Sequence, residues 1–78
     1  MRHELWIESD GGQLLCLAGP RGDDARRTLS HDARLAWTVE ARSHFEAMTL
    51  YHEHMGWGEY RTDYPEHDKR PYSERGWE

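Results

Sequence analysis

The chain has 78 residues, a mass of 9.3 kDa and a formal charge of -5, which bounds it to one small domain. Leu, Ile, Val and Phe together make up only 10 of the 78 residues, below the roughly one-fifth usual for packed chains. An ordinary aliphatic core is therefore excluded, and four Trp and four Tyr offer large areas to bury in its place.

No window approaches the ~18 consecutive apolar residues of a membrane helix. The opening Met1–Trp6 mixes charge with apolar character where a secretory leader needs an apolar run. The single Cys16 cannot staple a secreted domain, so a cytosolic location is expected. An acidic chain with one lysine is poorly placed to neutralise phosphates. Its best basic patch, Arg21, Arg26, Arg27 and Arg34, is interleaved with Asp23, Asp24 and Asp32, so nucleic acid is not expected as a partner. Protonating all six histidines would move the charge from -5 to +1, which makes solubility and association pH-dependent.

Residues 4–9 alternate, with Leu5 and Ile7 on one face and Glu4, Trp6 and Glu8 on the other, the pattern of a half-buried strand. Asp10-Gly11-Gly12 marks a turn, and residues 13–18 form the second strand of a hairpin. Gly19-Pro20-Arg21-Gly22 breaks that strand. Asp23 and Asp24 suit a helix N-terminus, and Ala25 to Leu29 supply one or two helical turns. Residues 34–40 alternate again, with Leu35, Trp37 and Val39 sharing a face, as in a third strand.

Ser43, followed three residues later by Glu46, forms a capping box. The helix it opens runs to about Met55 and stops at Gly56. Phe45, Met48, Tyr51, His52 and Met55 fall on one stripe, which is expected to pack on the sheet. Residues 59–78 hold no Leu, Ile, Val, Phe or Met. Their charge resembles disorder, but Tyr60, Tyr64, Tyr72 and Trp77 punctuate them.

The order ββαβα follows. A right-handed crossover puts the third strand beside the first, in order 2-1-3. The expected fold is an α+β two-layer sandwich. It has a three-stranded, mainly antiparallel sheet with helices on one face and an aromatic-rich irregular C-terminal tail. Residues 1–64 form the domain, and 65–78 form an extended tail, partly docked. The tail is also expected to cover Trp6.

Candidate sites are few. His52 and His54 diverge by ~200° around a helix and cannot share an ion, and no set of zinc-like spacing exists, so no metal and no cofactor is expected. Ser30-His31-Asp32 carries the letters of a catalytic triad, but adjacent residues do not converge as one. Cys16, between Leu14 and Ala18 on one strand face, is expected to be a buried structural thiol. Seven of the nine aromatics lie between Phe45 and Trp77. Those outside any amphipathic element suit a protein interface, built from Trp57, Glu59, Tyr60, Asp63 and Tyr64. This points to a non-catalytic protein-interaction module, monomeric or weakly dimeric through the open edge of the third strand. The alternative is a small enzyme or ligand-binding protein using His44 or His52 beside Glu40 or Glu53.

The stretch Trp37-Thr38-Val39-Glu40-Ala41, then Ser43 to Thr49, Tyr51, and Met55-Gly56-Trp57-Gly58-Glu59-Tyr60, resembles a set of small uncharacterised bacterial proteins. Thr62-Asp63 and Pro71-Tyr72 extend the likeness, which covers residues 37–72. The resemblance implies a bacterial, cytosolic, stand-alone domain and transfers no functional residue.

Overall fold

The computed structural model describes all 78 residues. In chain order the elements are β1 (Arg2–Ile7), β2 (Gln13–Leu17), a 3-10 turn (Pro20–Gly22), α1 (Asp23–Arg26), β3 (Arg34–Glu40), α2 (His44–Met55) and α3 (Pro65–Asp68). The fold is α+β, with an open, mainly antiparallel three-stranded sheet in the order β2-β1-β3, as the crossover argument predicts. The chain divides into two compact units. One is Arg2–Val39, and the other is Met1 with Glu40–Glu78.

In the first unit, β1 pairs with β2 in a register that sets Leu5 opposite Leu15 and Glu4 opposite Cys16. Partners across an antiparallel ladder share a face. Leu5 and Leu15 therefore mark one side of the sheet, and Glu4, Trp6, Leu14 and Cys16 mark the other. Leu5 is the large side chain that is fully buried, at 1% exposure. The turn forms where expected: Gly11 takes a positive φ of 90°, and the Gly12 amide donates to Asp10 Oδ1 at 2.8 Å.

The first helix is shorter than the sequence suggests. Pro20–Gly22 winds as a 3-10 turn, and only Asp23–Arg26 is α-helical. The Thr28 and Leu29 amides bond back three residues, to Ala25 and Arg26, so residues up to 29 continue as tighter turns. Asp23 and Asp24 stand in the first turn as predicted, and each pairs with an arginine three residues on.

Arg26 organises this unit. Its guanidinium donates to Leu17 O at 2.6 Å, to Glu4 Oε1 at 3.1 Å and to Asp23 Oδ1 at 2.6 Å. It also reaches Gly19 O and lies 3.6 Å from Cys16 Sγ. One side chain thus ties α1 to the end of β2 and to the middle of β1. The Trp6 indole N–H donates to the same Glu4 oxygen at 3.3 Å.

The second unit is built around α2. Ser43 caps it, its hydroxyl accepting from the Glu46 amide at 3.1 Å. The return bond of the capping box is displaced by one residue: Glu46 Oε1 accepts from the Arg42 amide at 3.1 Å. Gly56 ends the helix at φ 71°, the left-handed conformation that suits glycine, and the Trp57 amide closes on His52 O at 3.0 Å. Ala47 and Tyr51 are the buried residues of the helix.

Segment 65–78, expected to be extended, begins with a helical turn. Pro65 occupies the first position of α3, where its missing N–H costs nothing. Residues 71–77 then fold back on themselves: the Trp77 amide donates to Tyr72 O at 3.0 Å, and the Tyr72 amide to Arg42 O at 2.7 Å. Tyr72 is only 3% exposed, which gives this polar segment an anchor that its charge pattern conceals.

Candidate interaction surface

The surface predicted from sequence begins where α2 ends. Gly56 turns the chain back, and the next residues lay their rings on the helix. Trp57 meets Tyr51 edge-on at 5.2 Å and His52 at 5.5 Å. Tyr60 meets Phe45 at 5.6 Å and His52 at 5.3 Å. The predicted stripe of α2 is thus met partly by aromatics of its own unit. His52 stands among three rings, and its Nδ1 is buried without a hydrogen-bond partner.

A polar hub lies under the loop. Asp68 Oδ2 accepts the Tyr60 hydroxyl at 3.1 Å and the Thr62 hydroxyl at 2.6 Å, while Thr62 Oγ1 accepts the Tyr64 amide at 3.0 Å. The Thr62 hydrogen bond, helped by that from Tyr60 and by the nearby His44 and His67, holds the Asp68 carboxyl below the ordinary carboxylate range. Burial pushes the Tyr60 phenol up. Lys69 follows at once, its ammonium 4.6 Å above the Phe45 ring in cation–π contact.

The five predicted residues divide by role. Trp57 is 53% exposed and Tyr64 is 73% exposed. Glu59 and Asp63 are exposed, with Glu59 in a loose pair with Arg61 at 3.7 Å. Tyr60 is half-buried and turned toward α2, so it supports the surface more than it belongs to it. Tyr64 also borders a shallow hollow shared with Asp63, Pro65, Glu66 and His67. Sequence reasoning missed Asp68. A signal existed in Tyr64-Pro65, which opens a helical turn and returns the chain to Thr62.

The histidine alternative finds little geometry. His44 is exposed and His52 is walled by rings. Glu40 pairs with the Met1 amine at 3.8 Å, and Glu53 is exposed. No group of three or more His, Cys, Asp or Glu side chains converges as a metal site. In Ser30-His31-Asp32, the serine hydroxyl donates directly to Asp32 and bypasses His31. That bond and one from Ser9 hold the Asp32 carboxyl below its ordinary range. Cys16 is buried, and burial pushes its thiol up although Arg26 opposes this, so the thiolate needed for attack is disfavoured.

No helix is long and apolar enough to cross a membrane. Comparison with protein-family models, with curated proteins and with solved structures gives no match.

Proposed function

We propose that this chain is a non-catalytic protein-interaction domain of the bacterial cytosol, and that it engages its partner through Trp57, Tyr64, Glu59 and Asp63, with Tyr60 as the buttress. One observation carries the reading: two large aromatic side chains stand more than half in water on a segment that is itself fixed. Trp57 rests on Tyr51 and His52, and Tyr64 is tethered through its amide to the Thr62–Asp68 hub. Rigid, amphipathic rings of this kind lose little entropy on binding and dominate interface energetics. The cytosolic setting is supported by the single, uncrosslinked Cys16.

The surface also selects a partner chemistry. Residues 57–68 carry Glu59, Asp63, Glu66 and Asp68 against Arg61. A cationic segment is the complement, and like charge repels acidic competitors.

Titrating the 15N-labelled chain with lysine- and arginine-rich peptides tests this. Amide shifts clustered at 57–67, and a loss of about tenfold or more in affinity in Tyr64→Ala, are the expected result. Tyr64→Ala should leave the melting temperature in place, since the ring is exposed. An unshifted 57–67 segment, or equal binding of acidic peptides, would overturn the reading.

A further inference from the structure

We propose that β3 is a self-pairing edge: two copies of this chain join antiparallel strand to strand about Trp37 to form a six-stranded sheet. The inference is independent of the surface at 57–67 and rests on the backbone of β3 and the charges at its two ends.

In the order β2-β1-β3, β3 has one neighbour and one open edge. Its hydrogen-bonding groups alternate between the two. Just past the strand, Ala41 and Met1 bond mutually, the Ala41 amide donating to Met1 O at 3.0 Å and the Met1 amine to Ala41 O. Ala41 therefore faces Met1. Counting back by twos, Val39, Trp37 and Leu35 face β1, and the amides and carbonyls of Arg34, Ala36, Thr38 and Glu40 face the open edge. All four of these residues are exposed. The edge carries no proline or lysine of the kind that blunts other edge strands.

The sequence of that edge, Arg34-Leu-Ala-Trp-Thr-Val-Glu40, is complementary to itself. With Trp37 on the two-fold axis, Ala36 and Thr38 of opposite copies exchange backbone bonds, and so do Arg34 and Glu40. Each Arg34 then stands across from a Glu40 on the same face, giving an ion pair at both ends. The two Trp37 rings face each other at a non-hydrogen-bonded pair, where side chains approach most closely. Leu35, a large apolar side chain left 44% exposed, lies across from Val39 of the second copy.

Register is enforced by repulsion as well. A two-residue slip one way sets Glu40 opposite Asp32. The same slip the other way sets Arg34 opposite Arg42. Both alternatives juxtapose like charges, so one alignment is favoured and its neighbours are disfavoured. In the free chain neither charge is strongly committed: Glu40 makes only the 3.8 Å contact with the Met1 amine and is largely exposed.

Sedimentation equilibrium of the full chain from about 10 μM to about 1 mM tests this. The expected result is a concentration-dependent dimer that weakens about tenfold in Arg34→Glu and recovers in the double variant Arg34→Glu/Glu40→Arg. Thr38→Pro, which removes an outward amide while leaving the ladder to β1 intact, should give a monomer with an unchanged circular dichroism spectrum. A monomer at every concentration would overturn the proposal. So would a dimer indifferent to Arg34→Glu, or a double variant that fails to restore association. Should Thr38→Pro not fold, the exposed charge pair still decides the matter.

Discussion

The two units divide the few aliphatic side chains unequally, eight of the ten Leu, Ile, Val and Phe falling in residues 2–39 and two in residues 40–78, and they hold together in different ways. Residues 2–39 spend backbone: a hairpin ladder, one deeply buried Leu5 and an arginine that collects carbonyls. Residues 40–78 spend rings: Phe45, Tyr51, Trp57 and Tyr60 with His52 about α2, and Tyr72 stacked on Trp77 at 5.7 Å. Backbone and guanidinium bonds are directional and fix geometry. Aromatic packing contributes area and tolerates polar, proline-containing sequence around it. The second solution leaves surplus rings at the surface, and the first leaves an unfilled edge.

The contrast is tested most severely at Tyr72. Tyr72→Ala removes a buried ring and should cost about 4 kcal/mol, read as a shift of the urea midpoint. The same residue makes the second unit sensitive to alkali. Burial pushes its phenol up to about 12, against ~10 in an unfolded chain. The folded state therefore holds the proton more tightly. Stability is fully present below pH 10 and is lost as pH rises from 10 to about 12. Tyr72→Phe should remove most of that alkaline loss, and an unaltered profile would place the sensitivity elsewhere.

The first unit should fail at a glycine. A Cβ on Gly22 would fall 1.8 Å from Leu17 O and 2.6 Å from an Arg26 guanidinium nitrogen. The first contact is with backbone and cannot be relieved by a rotamer. Gly22→Ala should cost about 3 kcal/mol and should shift the amide resonances of Leu17 and Gly19. If its cost were near zero, close packing of the 3-10 turn on β2 would not be what holds this unit.

Legibility in the sequence cuts across that division. β3 was readable to its last residue because Trp, Thr and Val alternate there without interruption. Ser43 and Gly56 bracketed α2 because each satisfies a specific end of the helix. The role of Arg26 was not readable: an arginine among aspartates looks like a solvated ion pair until the fold brings Leu17 O and Gly19 O to it. Tyr72 was equally hidden, because local charge decides the pattern while one ring decides the packing. The site was half legible. Exposure of Tyr64 followed from the proline and charge around it, whereas that of Trp57, a ring equally suited to filling the thin core, did not, and the inward turn of Tyr60 depends on Asp68, eight residues on.

The smallest expected effect sharpens the comparison most, because it asks whether the ring-built unit also needs a polar support. Asp68→Asn keeps the shape but weakens the acceptance of two hydroxyls, and should cost about 1 kcal/mol at neutral pH. The sign with pH is fixed by the direction of the shift. The folded-state carboxyl sits below its ordinary value. Its contribution is therefore present above the unfolded value of ~4 and is lost as pH falls through the lower folded value. The urea midpoints of the native chain and of Asp68→Asn should differ at pH 7 and converge in acid, once the pH has fallen through the lowered folded-state value. A gap that persisted in acid would mean that shape alone, and not the carboxylate, positions Tyr60, Thr62 and the Tyr64 amide. The loop that presents Trp57 and Tyr64 would then owe its form to aromatic packing, as the rest of the unit does.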